Sequence, residues 1–189
     1  LIHWIVDYIH PQGFRIDRPA GNDMYTILLF KKPLTIWQNG ELIQTGENAC
    51  IVFTRWSRQL YYRESGPYAH DGVFFEGEDP QKTLETLGIP LNTVFHVRSP
   101  KAISSVIQDI SAEAALKQEH SPEIIDLLLR TLFFRLADEM CRDGDESGGY
   151  FLQFQQIRRS IFKQPAENWR AGMLAKELHI SVSRFHHLY

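Results

Sequence analysis

The hydrophobic period of this chain changes once, near residue 100, and that change constrains the fold more than any composition figure. Before it, short β-like runs occupy residues 2–9, 14–18, 24–30, 34–38, 42–45, 50–53, 59–63, 72–76 and 94–97, each bounded by Gly, Pro, Asn or charged residues. The sharpest local signal is Thr35-Ile36-Trp37-Gln38-Asn39-Gly40-Glu41-Leu42-Ile43. Asn39-Gly40 supplies the two positive-φ positions of a type I′ turn, so the flanking runs are expected to form a two-residue hairpin. Gly46 marks another reversal before the buried-looking run Ala49–Phe53. Many short strands joined by turns predict an antiparallel sandwich or barrel, a form that closes its own edges and can enclose a ligand.

After residue 100 the period becomes helical. Ile103, Val106, Ile107, Ile110 and Ala114 fall on one face of a first helix. Ser121-Pro122-Glu123 opens a second, with a hydroxyl cap and proline in the first turn, and Ile125, Leu129, Leu132 and Leu136 form its seam. Leu127, Leu128, Phe133, Phe134 and Met140 widen the apolar surface beyond what a helical hairpin buries against itself. One face is expected to pack on the strands and the other to pair with a second subunit in a homodimer. The run 142–149 is rich in glycine and charge and has no apolar residue, as a linker requires. The expected organisation is an effector-binding β-domain over 1–99, a helical dimerisation hairpin over 100–143, a flexible linker over 144–149 and a DNA-binding segment over 150–189.

That last segment reads as a helix followed by a helix-turn-helix. Leu174-Ala175-Lys176-Glu177-Leu178-His179-Ile180 is apolar-periodic, and Ser181-Val182-Ser183 offers hydroxyl caps to a second helix, Arg184 to Tyr189. Leu174, Leu178, Ile180, Phe185 and Leu188 would hold the pair at a fixed angle. Ser183, Arg184, His186 and His187 are then left to face a major groove, with Lys176 near phosphate. Six basic against two acidic side chains give residues 150–189 a formal charge of +4, whereas residues 101–149 hold five basic and ten acidic ones. A basic terminal module on an acidic body is the asymmetry expected when one part faces phosphate.

Ile157-Arg158, Ile161, Pro165, Trp169, Leu174-Ala175, Ser181, Phe185 and Tyr189 together resemble the first helix-turn-helix of the AraC/XylS family of transcription regulators. Arg170 in place of the usual hydroxyl cap, Gly172 in the first turn and His187 in place of a common arginine depart from the pattern. The family's second helix-turn-helix does not follow, so the resemblance implies a piece of a longer protein. Residues 15–78, notably Arg18 and His70-Asp71-Gly72-Val73-Phe74-Phe75-Glu76-Gly77, resemble the cupin-type effector domain of the same family. The fold class implied is α+β: an N-terminal antiparallel β-barrel, cupin- or jelly-roll-like, then a helical hairpin and a partial helix-turn-helix module.

The chemistry such a barrel could hold is narrowed by its histidines. His3, His10, His70, His96 and His120 are isolated, and the adjacent His186-His187 pair belongs to a helix, where neighbours point about 100° apart. Three or four ligands converging on one ion are not spaced in this chain, so no metal, cofactor or catalytic residue is expected. A metal-free pocket for a small-molecule effector, for instance a sugar, suits the residues better. Trp37 and Phe74 can stack on a ligand face, and Arg18, Tyr25 and His70 can hydrogen-bond its oxygens; each also fits an ordinary structural role. The expected activity is effector-responsive transcription control. The alternatives are a cupin-fold enzyme, isomerase or oxygenase, and a small-molecule sensor acting through protein contacts. Cys50 and Cys141, far apart and in apolar company, suit a reducing cytoplasm, and no apolar run approaches the roughly 20 residues that cross a bilayer.

Overall fold

The computed structural model describes residues 2–10, 12–77, 79–140, 157, 160, 161, 169–178 and 181–188. The chain divides into two compact units, Leu1–Met140 and Cys141–Tyr189. The first unit carries strands β1 (Ile2–His10), β2 (Phe14–Arg18), β3 (Tyr25–Phe30), β4 (Thr35–Gln38), β5 (Glu41–Gln44), β6 (Ala49–Phe53), β7 (Gln59–Arg63), β8 (Tyr68–Phe75) and β9 (Phe95–His96). Its helices are α1 (Pro80–Thr86), α2 (Pro100–Leu116) and α3 (Ser121–Glu139).

The α+β expectation of a closed cupin- or jelly-roll-like β-barrel is corrected by the pairing. The strands form two open antiparallel sheets, β1-β8-β3-β6-β9 and β2-β7-β4-β5. Among the described residues no strand of one sheet pairs with a strand of the other, so β1, β9, β2 and β5 remain edges. Strand content and turn spacing set how many strands there are, whereas closure depends on hydrogen bonds between edges that lie far apart in sequence.

Packing then builds three layers. Leu28, Phe30, Ala49, Ile51, Phe53 and Tyr68 of the larger sheet meet Ile36 and Tyr61 of the smaller one, with Phe14, Ile16 and Ile43 against them. The opposite face of the larger sheet, through Ile27, Leu29, Cys50, Val52, Val73 and Phe75, packs on Leu84 of α1, Ile103 to Ile110 of α2 and Leu129 to Leu136 of α3. Strands β3 and β6 therefore lie between two cores. That explains why Ile27-Leu28-Leu29-Phe30 and Ala49-Cys50-Ile51-Val52-Phe53 are buried at every residue instead of alternating. Each large side chain fully buried here contributes about 1.5–3 kcal/mol.

The predicted two-residue hairpin is present: Gln38 pairs with Glu41, and Asn39 and Gly40 take φ of 52° and 93°. Helix α3 begins at Ser121 with His120 as its cap position, one residue earlier than a Ser121 cap would place it. The Ser121 hydroxyl instead ties the helical hairpin, donating to Glu113 Oε1 at 2.6 Å and accepting from the Gln118 amide at 2.9 Å. Helix α2 is also pinned to the sheet: Asp71, 1% exposed, accepts from Ser104 Oγ at 2.5 Å and pairs with Lys31 Nζ at 2.6 Å. On α3, Ile124, Leu127 and Phe134 stay exposed.

In the second unit, α4 (Ala171–Glu177) and α5 (Val182–Leu188) are separate helices. Arg170 takes the extended conformation before α4, and its carbonyl accepts from the amides of Met173 and Leu174. Ile157, Leu174, Ala175, Leu178 and Phe185 are buried together, with Ile161, Trp169 and Ala171 against them. The linker expected over 144–149, and Cys141, lie outside the described residues. Among the described residues no helix is long and apolar enough to cross a membrane.

Candidate functional site

Two regions gather the residues expected to carry function, one in each unit. In the first, strand alternation turns the polar residues of β2, β7 and β8 into the space between the sheets. Phe14, Ile16 and Tyr61 belong to the inter-sheet core, so Arg18, Gln59 and Arg63 share their face. Arg18 Nη1 donates to Gln59 Oε1 at 3.1 Å. Gln59 is fully buried, and its Nε2 has no hydrogen-bond partner among the described residues. An orphaned buried amide donor of this kind costs on the order of 1–3 kcal/mol until something accepts from it.

Aromatic rings extend this polar end across to the larger sheet. Phe14 stacks on Tyr68 with centroids 4.6 Å apart and planes 6° from parallel, and lies 5.9 Å from the Tyr61 ring. His70, 5% exposed, lies 5.2 Å from Tyr68 and 6.1 Å from Phe14. Burial pushes the Tyr61 hydroxyl up to about 12, while the nearby Arg18 guanidinium acts the other way. Burial, reinforced by Tyr61, likewise raises the Tyr68 hydroxyl. Both phenols are thus held neutral, able to donate as well as accept hydrogen bonds.

A raised folded-state value adds stability that is intact below the unfolded value, near 10, and is lost as pH climbs toward the folded one. Tyr61 alone is therefore expected to remove on the order of 2–3 kcal/mol of stability between about pH 10 and pH 12. Alkaline titration followed by tyrosinate absorbance and circular dichroism checks this. An unchanged alkaline midpoint in Tyr61→Phe would count against it.

Of the five expected ligand residues, Arg18 and His70 belong to this inter-sheet set. Phe74 shares the strand face of His70 and is half-buried, opposite Thr26. Tyr25 lies elsewhere, stacked on Phe75 at 5.6 Å against the helix-side core. Trp37 is on the outer face of the smaller sheet, under the Arg58 guanidinium at 4.7 Å. Phe14, Gln59, Tyr61 and Tyr68 join the set without standing out in the sequence. The alternation Gln59-Leu60-Tyr61-Tyr62-Arg63, with polar groups in phase with a core tyrosine, was their available signal. A cleft of about 420 Å³ lies on the other side of the larger sheet, lined by Phe75, Leu129, Arg130 and Phe133 among others, away from this set. Among the described residues no three His, Cys, Asp or Glu side chains are grouped so as to hold a metal ion.

In the second unit Ser181 precedes α5, and its carbonyl accepts the helix's first bond from the Phe185 amide at 2.9 Å. Helix α5 starts at Val182, so Ser183 sits inside its first turn and is not a cap as the sequence predicted. Phe185 is buried at 4% exposure, while Lys176, Ser183 and His186 are exposed. Arg184 and His187 lie on α5, and their side chains fall outside what is described.

Three solved structures resemble the chain at low identity. The AraC-like transcriptional activator CuxR is 15% identical, with a TM-score of 0.46, covering 97% of this chain and 69% of that one. ToxT K231A from Vibrio cholerae is 12% identical, with a TM-score of 0.40, covering 94% and 70%. ToxT of the same organism with unsaturated fatty acid bound is 12% identical, with a TM-score of 0.37, covering 98% and 72%. No family model matches the chain. No curated protein matches it either.

Proposed function

We propose that this chain is the sensing part and a portion of the DNA-binding part of an effector-responsive transcription regulator of the AraC type. The observation that carries this reading is the construction of the second unit. Two short helices meet through Leu174, Ala175, Leu178 and Phe185, break at Ser181, and leave Lys176, Ser183 and His186 exposed on a segment of net +4 charge. Ser183, Arg184, His186 and His187 would read base edges, and Lys176 would contact phosphate.

The effector would lie between the sheets, where Arg18, Gln59, Tyr61, Tyr68 and His70 bring donors and acceptors together among aromatic walls. Such a set suits a small molecule with oxygen acceptors and a flat apolar face. The exposed stripe Ile124, Leu127 and Phe134 on α3, spaced three and seven residues apart, would pair with the same stripe of a second copy. An effector that binds one arrangement of the dimer more tightly than another would set which DNA spacing is matched.

Salt titration of binding to a random-sequence duplex tests the DNA assignment. Affinity should fall with rising salt, and Lys176→Gln should make the log–log slope shallower by about 0.9, the contribution of one phosphate contact. A slope identical to wild type removes Lys176 from the interface, and no salt-dependent binding at all removes the assignment.

A further inference from the structure

The outer face of the smaller sheet has no layer over it in the described unit. Its outward positions follow from alternation with the inter-sheet residues: exposed Arg15 and Asp17 on β2, half-buried Tyr62 on β7, half-buried Trp37 on β4 and exposed Leu42 on β5. Arg15 lies over the Tyr62 ring at 4.9 Å and Arg58 over the Trp37 ring at 4.7 Å. The Asp17 carboxylate pairs with both arginines, at 3.2 Å and 3.9 Å. Both guanidinium groups are thus stacked and oriented, yet the side chains of Arg15 and Arg58 remain 58% and 42% exposed. Leu42 is exposed beside Trp37.

The turn between β6 and β7 leads into Arg58 and carries Trp56 two residues before it. Trp56 is 64% exposed and takes a φ of 60°, a left-handed conformation that strains any side chain branching at Cβ and is rare for a bulky residue. Among the described residues the indole belongs to neither core cluster of the first unit, and glycine or asparagine would fit that backbone at lower cost. The turn itself is firmly built. The Trp56 amide donates to Asn22 O at 2.7 Å, Ser57 Oγ to Thr54 O at 2.7 Å, and the Thr54 amide to Asn92 Oδ1 at 2.9 Å. A rigid, strained turn that holds an indole in water, with exposed Arg55 before it and Arg58 after it, has the composition of a binding hot spot.

We propose that this face docks an acidic polypeptide segment of a partner protein, whose carboxylates reach the free edges of Arg15, Arg55 and Arg58 while an apolar side chain lies against Trp56. Asp17 supports the choice of partner, because among the described residues the group that pairs with both stacked arginines is a carboxylate. Docking needs limited reordering, since Arg15 and Arg58 are already stacked on the sheet and the backbone that carries Trp56 is hydrogen-bonded.

The test is fluorescence anisotropy of a labelled peptide of Glu-Glu-Tyr repeats against the full chain. Three probes of other chemistry run beside it: a Lys-Lys-Tyr peptide, an oligothymidylate, and phosphatidylserine vesicles. Binding of the acidic peptide is expected to weaken at least about tenfold in Trp56→Asn and in Arg58→Gln, in line with the loss of an interface anchor. Tm of Trp56→Asn should equal or exceed that of wild type, which separates lost docking from lost folding. The proposal is overturned if the acidic peptide does not bind, if either substitution leaves its binding unchanged, or if the oligothymidylate or the vesicles bind more tightly through the same residues.

Discussion

Replacing Asp71 with alanine is expected to destabilise the first unit by about 3 kcal/mol, because a buried, hydrogen-bonded charge loses its place in the packing while its partners stay. Asp71 is 1% exposed and joins three elements: its own strand β8, Ser104 on α2, and Lys31 at the end of β3. Without the carboxylate, Ser104 loses a charge-assisted bond. Lys31, about a third exposed, can turn its ammonium to water, which holds the cost below that of stranding a fully buried charge. Asp71→Asn keeps an oxygen for Ser104 but gives up the pairing with Lys31, so a smaller loss of about 1–2 kcal/mol is expected. Urea denaturation of the two variants measures both. A wild-type midpoint in Asp71→Ala would mean that the three elements are held together without this carboxylate.

Gly21→Ala is the second substitution with a large expected effect. Gly21 has a φ of 68°, and a Cβ built there would lie 2.2 Å from Ser57 O, 2.7 Å from the Trp56 carbonyl carbon and 2.8 Å from Ser57 N. All three are backbone atoms of the turn that carries Trp56, so no side chain can move aside to make room. The left-handed conformation costs a non-glycine residue roughly 1–2 kcal/mol, and displacing a hydrogen-bonded turn adds to it, for an expected total of about 3 kcal/mol. Gly40 is the internal control. Its φ is 93° but nothing lies within 4 Å of the built Cβ, so Gly40→Ala should cost only about 1 kcal/mol. Equal losses at the two positions would show that conformation alone, without the close approach, governs both.

Much of the strand layout was legible because local chemistry dictates it. The Asn39-Gly40 turn, the burial of Ala49–Phe53 and the change to helical period after residue 100 each rest on residues adjacent in sequence. Helix α1 leaves no signal in the sequence because its seven residues bury only Leu84, too few for a period to appear. The start of β8 is hidden because Tyr68-Ala69-His70-Asp71 reads as polar, and its polar groups are accommodated inside: Asp71 by Lys31 and Ser104, His70 among Tyr68 and Phe14. The candidate site divided for a related reason. Residue types suited to a ligand can be read along a strand, but which face of a strand meets which core depends on the partner layer. With cores on both sides of β3, Tyr25 fell on the helix side. Trp37 fell on the outer side of β4 because Ile36 takes the inner one.

Strand β8 raises a question of alignment that apolar patterning cannot answer. A strand with water on one side slips register only by exposing its core residues, but β8 has core on both sides, and a shift by one residue would still leave side chains buried. Size and charge must therefore supply the discrimination. Gly72 is the notch: a Cβ there would lie 2.8 Å from Leu28 Cδ2 and 3.3 Å from Ile27 O, so any other residue at this position must displace the buried leucine. One position before it, Asp71 finds Lys31 only when the notch is filled. Two neighbouring residues, one with no side chain and one with a charge, thus act as key and latch for a strand whose two faces look alike to the hydrophobic effect.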